Sequence, residues 1–376
     1  MKDNNPDFII NTVGFIGFGL IGGSVARAIK TIYPDTLLYS YDYHINSSGS
    51  DLEEALSDGV LDCITKDLSV GFPDCDIIFL CAPVLANISY LEKLKPVVKP
   101  SCIITDVGSV KGNIHEAVNN LGMQEVFIGG HPMTGSEKTG YRNSYALLLE
   151  NAYYILTPTD KTPPDKITIL SALVKKLGSI PIMLHPKEHD EITAAISHLP
   201  HIIAAQLVNL IKESDDMSEK MKQLAAGGFK DITRIASSSP QMWQNICLTN
   251  AKVIKQILDR YIETLEEVSQ ALTKTDGNYL YHMFDKAGEY RNSIPDKSIG
   301  LIHRVFRIYI DVIDEAGAIA TIATLLAINH ISIKNIGIIH NREFEEGVLR
   351  IEFYDEPSEE DAKALLRKHN YHVYER

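Results

Sequence analysis

Apolar residues follow two rhythms along the chain, and the change between them divides it. In the first half, continuous apolar runs at 12–16, 37–41, 77–81 (IIFLC) and 102–105 (CIIT) alternate with stretches of helical period such as 20–30. Short runs with no polar alternate face are strands buried on both sides, so the pattern predicts a parallel sheet covered by helices. Runs at 152–157 and 180–184, with a helical stretch at 165–176 between them, read as later strands of that sheet. From Pro186 to Asn292 strand signals are few. The long segments 192–211 and 250–272 carry wide apolar faces and predict a helical bundle that packs against a second copy of itself. The polar stretch 291–300 (RNSIPDKSIG) reads as a linker. Beyond it Phe306, Ile308, Ile310 and Val312 alternate with Arg307, Tyr309 and Asp311, a half-buried strand. A helix is expected at 318–328, strands at 331–340 and 348–354, a helix at 358–368 and a last strand at 371–374. That order, βαββαβ, is the ferredoxin-like arrangement. The expected domains are therefore 1–185 (α/β, parallel sheet), 186–295 (all-helical) and 300–376 (ferredoxin-like), and 376 residues suffice for separate cores.

Charge and cysteine usage narrow the function classes. A formal net charge of −13 argues against a nucleic-acid partner, because phosphate binding needs a positive surface. Five cysteines, Cys63, Cys75, Cys81, Cys102 and Cys247, make no CxxC pair, so neither a disulfide framework nor a metal site is expected. The start, MKDNNPDFII, does not read as a signal peptide. No apolar stretch runs uninterrupted for about 20 residues, so a spanning helix is not expected. A cytoplasmic protein without a membrane partner fits this pattern.

Chemistry first shows at Gly17-Phe18-Gly19-Leu20-Ile21-Gly22. This G-x-G-x-x-G follows a predicted strand, opens a predicted helix, and is followed 20 residues after Gly22 by Asp42 at the end of the second strand. In that context the glycines allow a tight turn and close approach of a pyrophosphate, and the helix N-terminus offers free N–H groups. Asp42 would accept bonds from the adenosine ribose hydroxyls and repel a 2′-phosphate, favouring NAD over NADP.

Four further segments carry candidate groups. His131, in GGHPM after the apolar run 126–128, lies near the C-terminal edge of the sheet and is suited to take a proton as an alcohol loses hydride, or serves a structural bond. Ser109, in DVGSVKG, either caps the next helix or bonds a substrate hydroxyl. Ser197 and His201, in SHLPH, share a helix face beside Pro200, which disturbs the helix. Arg234, in GGFKDITRIA, stands among apolar neighbours where it could grip a carboxylate or simply face solvent. Trp243 follows it, with core packing as the plain alternative.

Together GFIGFGLIGGS, DVGSVKG, GGHPMTGSEKTG, SHLPH and GGFKDITRIA, in this order and spacing, resemble the prephenate dehydrogenase family over roughly the first 290 residues. The resemblance implies that His131 accepts the proton of the prephenate ring hydroxyl. Ser109 would bond the same hydroxyl, and Arg234 would bind a substrate carboxylate. His201 and Ser197 would line the substrate pocket, with Gly227 and Trp243 near it, and Ser136 and Glu137 would shape and gate it. Cys81, Ala82 and Pro83 after the third run, with Asp106 and Gly108, would border the cofactor. The C-terminal βαββαβ unit resembles an ACT domain, where Asp314 and Gly317 at the first strand–helix turn and Asn335 in the second strand would take an amino-acid effector, with tyrosine the natural expectation. The resemblance implies NAD as cofactor, prephenate as substrate and a homodimer. An arogenate or cyclohexadienyl dehydrogenase, and a non-catalytic sensor of NAD and an amino acid, are the competing readings.

Overall fold

The computed structural model describes residues 10–41, 51–135, 138–216, 218–294, 306–312, 317–339 and 347–374. Contacts divide the chain into two units, Met1–Asp285 and Lys286–Arg376.

The first unit holds an eight-stranded sheet: β1 (Thr12–Ile16), β2 (Leu37–Tyr41), β3 (Cys63–Thr65), β4 (Ile77–Leu80), β5 (Ile103–Asp106), β6 (Phe127–Pro132), β7 (Tyr153–Pro158) and β8 (Ile180–Met183), in the order β3-β2-β1-β4-β5-β6-β7-β8. Every residue of β1, β4 and β5 is buried. Successive side chains leave opposite faces. Ile77 and Phe79 join a core with Val25 and Ile29 of the helix Leu20–Ile32, whereas Ile78 and Leu80 join one with Leu91, Ile114 and Val118. This two-sided burial is why the strands read as unbroken apolar runs. The order reverses between β1 and β4, so the crevice beyond their C-terminal ends is the place where such sheets receive ligands.

The sheet departs from the wholly parallel expectation at one edge. β7 pairs antiparallel with β6, and β8 follows β7 in parallel. Between β6 and β7 the described chain forms only short 3₁₀ turns, at Tyr141–Asn143 and Ala146–Leu149. A parallel return needs a crossover, usually helical, and none is present among those residues. The short strand β3 was not foreseen.

Helices then dominate: Pro186–Thr193, Leu199–Ser214, Gly227–Thr233, Pro240–Thr249, Ala251–Thr273 and Gly277–Ser293. The first two are joined by a π-helical turn, Ala194–His198, in which the Leu199 N–H bonds the Ala194 carbonyl. Pro200 falls in the opening turn of the next helix, where its missing N–H costs little. The expected disturbance at SHLPH thus takes the form of a π-turn. The run Pro186–Ser214 is, contrary to the sequence reading, long and apolar enough to cross a membrane. Within it His189, Asp190 and His198 are buried, and Asp190 accepts from the Lys111 and Gly112 amides of the sheet domain. The final helix continues through 291–293, so only the rest of the expected linker lies beyond it; residues 295–305 lie outside the described set.

The second unit contains β9 (Phe306–Val312), a helix Ala318–Ile328, β10 (Ile333–Ile339), β11 (Gly347–Phe353), a helix Glu356–Lys368 and β12 (Val373–Tyr374). Its antiparallel sheet has the order β10-β11-β9-β12. Ile308, Ile310, Leu349 and Ile351 pack against Ile322, Leu326, Ala362 and Leu366 of the helices. The βαββαβ pattern read from the alternation is the one found.

Candidate active site

The glycine turn follows β1 directly. Gly17 has φ +83°, and a Cβ there would lie 2.6 Å from the Ala82 backbone nitrogen, so only glycine lets the turn pass the end of β4. A Cβ on Gly22 would meet the Gly17 carbonyl oxygen at 2.9 Å and Cys81 at 3.3 Å, which fixes how tightly helix and strand pack. Above Gly19 there is open space within 4 Å. The helix Leu20–Ile32 has no side-chain cap and no acidic residue in its first turn. Its leading N–H groups and partial positive charge are left for an anion, which fits a dinucleotide pyrophosphate. Phe18 points elsewhere: its ring is buried against Phe15 and Tyr141, so only its backbone can border a cofactor. Leu20 and Ile21 form the first helical turn. Cys81, Ala82 and Pro83 form the loop after β4, and buried Asn87 pins it, accepting from Ala82 N–H and donating to the Leu80 and Ala82 carbonyls. Asp42 lies outside the described residues.

Asp106 has a different role from the expected cofactor contact. Its carboxylate is fully buried and paired with the Lys111 ammonium, itself fully buried. It also accepts from Gly108 N–H at 2.9 Å and Gly130 N–H at 3.1 Å, while Lys111 donates to the Gly130 carbonyl at 2.7 Å. These bonds occupy the carboxylate and tie the DVGSVKG turn to the residue before His131. Ser109 sits half-buried in that turn. It does not cap the helix Gly112–Leu121, whose N-cap is Lys111; the amides of Lys111 and Gly112 instead bond the Asp190 carboxylate at 2.7 and 2.8 Å. Of its two sequence readings, capping is therefore removed.

His131 is part of β6, paired with Ile155 of β7, and its ring is half-buried. Its Nδ1 lies 2.8 Å from Nε2 of His189, whose Nδ1 lies 2.8 Å from Asp190 Oδ1. Burial, then the neighbouring His189 and Lys111, hold His131 well below the usual histidine range, so it is neutral near pH 7. Burial likewise lowers His189. Burial pushes Asp190 upward, but its bonds from His189 and the two amides outweigh this and keep it ionised.

The helical segment supplies the other wall. Asn250 donates to the Asp190 carbonyl at 3.0 Å and lies 3.3 Å from His198 Nδ1. His201 Nδ1 bonds the Ser197 carbonyl at 2.9 Å, and its ring stacks on Trp243 with centroids 3.8 Å apart. Trp243 is thus a half-buried wall of this cluster rather than plain core, and among the described residues its indole N–H has no bonding partner. Arg234 opens the turn Arg234–Ser237, is exposed rather than enclosed by apolar neighbours, and helps lower His201. Gly227 opens the helix Gly227–Thr233 and is exposed. Ser136 and Glu137 lie outside the described residues. The structure therefore links His131 to Trp243, His201 and Ser197 through His189, Asp190, Asn250 and His198, with Ser109 in the adjoining DVGSVKG turn and exposed Arg234 acting on His201 only through its charge.

His189, Asp190, Asn250, Lys111 and Asn87 were not singled out from the sequence. A signal existed for two of them: His189 and Asp190 open an apolar helical run, and a polar pair there must face something polar. Among the described residues no cluster of metal-ligating side chains occurs.

Comparison with known proteins accords with this geometry. The family model for the prephenate dehydrogenase nucleotide-binding domain matches residues 25–182, and that for the prephenate dehydrogenase dimerization domain matches 185–286. The prephenate dehydrogenase of Bacillus subtilis (strain 168) is 37% identical over 358 residues, 95% of each chain. That of Lactococcus lactis subsp. cremoris (strain MG1363) is 35% identical over 364 residues, covering 94% of this chain and 96% of the relative. The crystal structure of prephenate dehydrogenase from A. aeolicus with hydroxyphenyl propionate and NAD+ aligns with a TM-score of 0.71 at 28% identity, over 77% of this chain and 100% of that one. With matches of this extent over both the sheet domain and the helices, the chain belongs to the prephenate dehydrogenase family.

Proposed function

We propose that the chain oxidises prephenate with NAD, yielding 4-hydroxyphenylpyruvate and carbon dioxide, with His131 as general base. The observation that carries this reading is a neutral histidine with Nδ1 already engaged, standing near the C-terminal end of β6, two strands along the sheet from the dinucleotide crevice. NAD, when bound, accepts the hydride from the ring carbon that bears the hydroxyl. His131 Nε2 takes the hydroxyl proton, so a ring carbonyl develops. Loss of the ring carboxylate as carbon dioxide then sends its bonding pair into the ring, restoring aromaticity as a phenolate that takes the proton back from His131 Nε2, and no other protein acid is needed. Ser109 bonds the same hydroxyl. Arg234 holds a substrate carboxylate at the mouth, and Ser197, His201 and Trp243 line the ring site. The protein's main contribution is to orient the ring and neutralise the dianion.

Three further parts of this reading concern specificity and assembly. NAD is used in preference to NADP because of Asp42. The chain pairs with a second copy through the helical segment, where Leu248, Leu272, Tyr281 and Phe284 are 62–71% exposed. The C-terminal unit is an ACT domain that binds tyrosine: Gly317, at φ +96°, opens its first helix, and Asn335 is exposed on β10. Asp314 lies outside the described residues.

Following NADH absorbance with prephenate tests the reaction. Turnover with prephenate and NAD, suppressed by tyrosine, is expected. Turnover with arogenate alone would overturn the substrate, NADP preference would overturn the role of Asp42, and indifference to tyrosine would overturn the effector.

A further inference from the structure

We infer that His189 and Asp190 are positioning residues that fix the tautomer of His131, leaving the free lone pair on Nε2, the atom that meets the substrate hydroxyl. The inference rests on His131 acting as base, and it follows from counting protons along three side chains.

Asp190 is the fixed end. Its Oδ1 accepts the Lys111 N–H at 2.7 Å and its Oδ2 the Gly112 N–H at 2.8 Å. Two N–H donors and a helix N-terminus favour the ionised form, which can only accept. The proton between Asp190 Oδ1 and His189 Nδ1, 2.8 Å apart, therefore belongs to His189. A neutral imidazole carries one proton, so His189 Nε2 is an acceptor. It lies 2.8 Å from His131 Nδ1, which must then donate. A neutral His131 with its proton on Nδ1 has a bare Nε2. Burial supports neutrality of both rings: His189 is fully buried, and both histidines are held below their ordinary range.

During turnover the hydroxyl proton goes to His131 Nε2 while the hydride leaves the same substrate for NAD. The resulting imidazolium keeps its Nδ1–H bond to His189, and the chain of bonds ends on the Asp190 carboxylate. Without His189, His131 Nδ1 loses its acceptor. The proton can then settle on Nε2, where it blocks the base.

The test uses the full-length enzyme, with His189→Leu, which removes the acceptor, and His189→Gln, whose amide oxygen can still accept from His131. Loss of a partner bonded behind a functional histidine typically costs about 10- to 100-fold. We expect kcat to fall by that factor in His189→Leu with KM for prephenate and NAD little changed, and His189→Gln to recover most of the loss. Histidine ¹⁵N spectra, with the His131 signals identified by their absence in His131→Asn, should show Nδ1 protonated in the wild type and Nε2 protonated in His189→Leu. Equal activity of the leucine and glutamine variants, or a wild-type His131 protonated on Nε2, would overturn the inference. If His189→Leu does not fold, the wild-type spectrum and His189→Gln still decide. An unchanged turnover in His131→Asn beside the expected wild-type spectrum would instead refute His131 as base.

Discussion

Replacing Lys111 with methionine would leave the Asp106 carboxylate in the centre of the sheet domain without its cation. Both side chains are fully buried, so the pair is shielded from water and salt. Removing one member of such a pair typically costs about 3–5 kcal/mol, because the other is left as an uncompensated charge. Asp106 would keep its bonds from Gly108 and Gly130, which places the loss near the lower end, about 3 kcal/mol. For a domain of this size that is a fall in Tm of about 10 °C. Differential scanning calorimetry of the wild type, Lys111→Met, Asp106→Asn and the double variant measures it. The double variant should lose less than the sum of the single losses by about 1–3 kcal/mol, since its two residues are no longer charged. Strict additivity, or a Tm change under about 2 °C in Lys111→Met, would refute the reasoning.

Substituting His131 by asparagine should lower kcat by about 10²–10⁴-fold, the usual worth of a general base, while NADH affinity measured by fluorescence stays within about twofold; unchanged turnover would remove His131 from the mechanism. Gly17→Ala forces a Cβ to 2.6 Å from the Ala82 nitrogen at a φ of +83°, so NADH binding should weaken at least about tenfold and stability should drop by more than about 1 kcal/mol. Fluorescence titration and calorimetry read both effects, and wild-type binding would mean that the turn does not carry the cofactor. Burial holds His115 and His198 at about 4, against 6.5 for a free histidine. The unfolded chain therefore binds more protons between those values, so stability rises with pH through the window and is lost as pH falls from 6.5 towards 4, by about 3 kcal/mol per histidine. Urea midpoints at pH 7 and pH 4.5 test this, and equal midpoints would contradict it.

The elements that could be read from the sequence are those whose signal is local. β2 and the helix Ala318–Ile328 have the expected bounds, because an apolar run or a 3.6-residue period sits within each. The glycine turn was legible for the same reason: its three glycines answer to contacts within one strand–turn–helix unit. The reversed direction of β7 was not, because strand direction depends on the absence of a crossover rather than on the strand's own residues. Nor were the partners of the site. His131 and His189 are 58 residues apart, and Lys111 and Asp190 are 79 apart. No periodicity joins such positions; only the packing of the run Pro186–Ser214 against the sheet does. Asp106 adds a role its motif position did not signal, since its buried carboxylate is half of an internal ion pair with Lys111.

The π-turn at Ala194–His198 sets the clocking of the long helix. An α-helix advances about 100° per residue, so the eleven residues from Asp190 to His201 would complete three turns and about 20° more, putting both side chains on one side. The extra residue held in the π-turn subtracts about one residue's rotation, and His201 comes round by roughly a quarter turn from the Asp190 side. One rod can thereby address two walls, with Asp190 towards the sheet and His201 towards Trp243. Deleting a single residue within 194–198 would leave ten regular α-helical steps from Asp190 to His201, about 1,000° of rotation, and so the same direction for His201. A chain of unchanged length that ran as a regular α-helix through 194–198 would instead return His201 to the Asp190 side, away from Trp243.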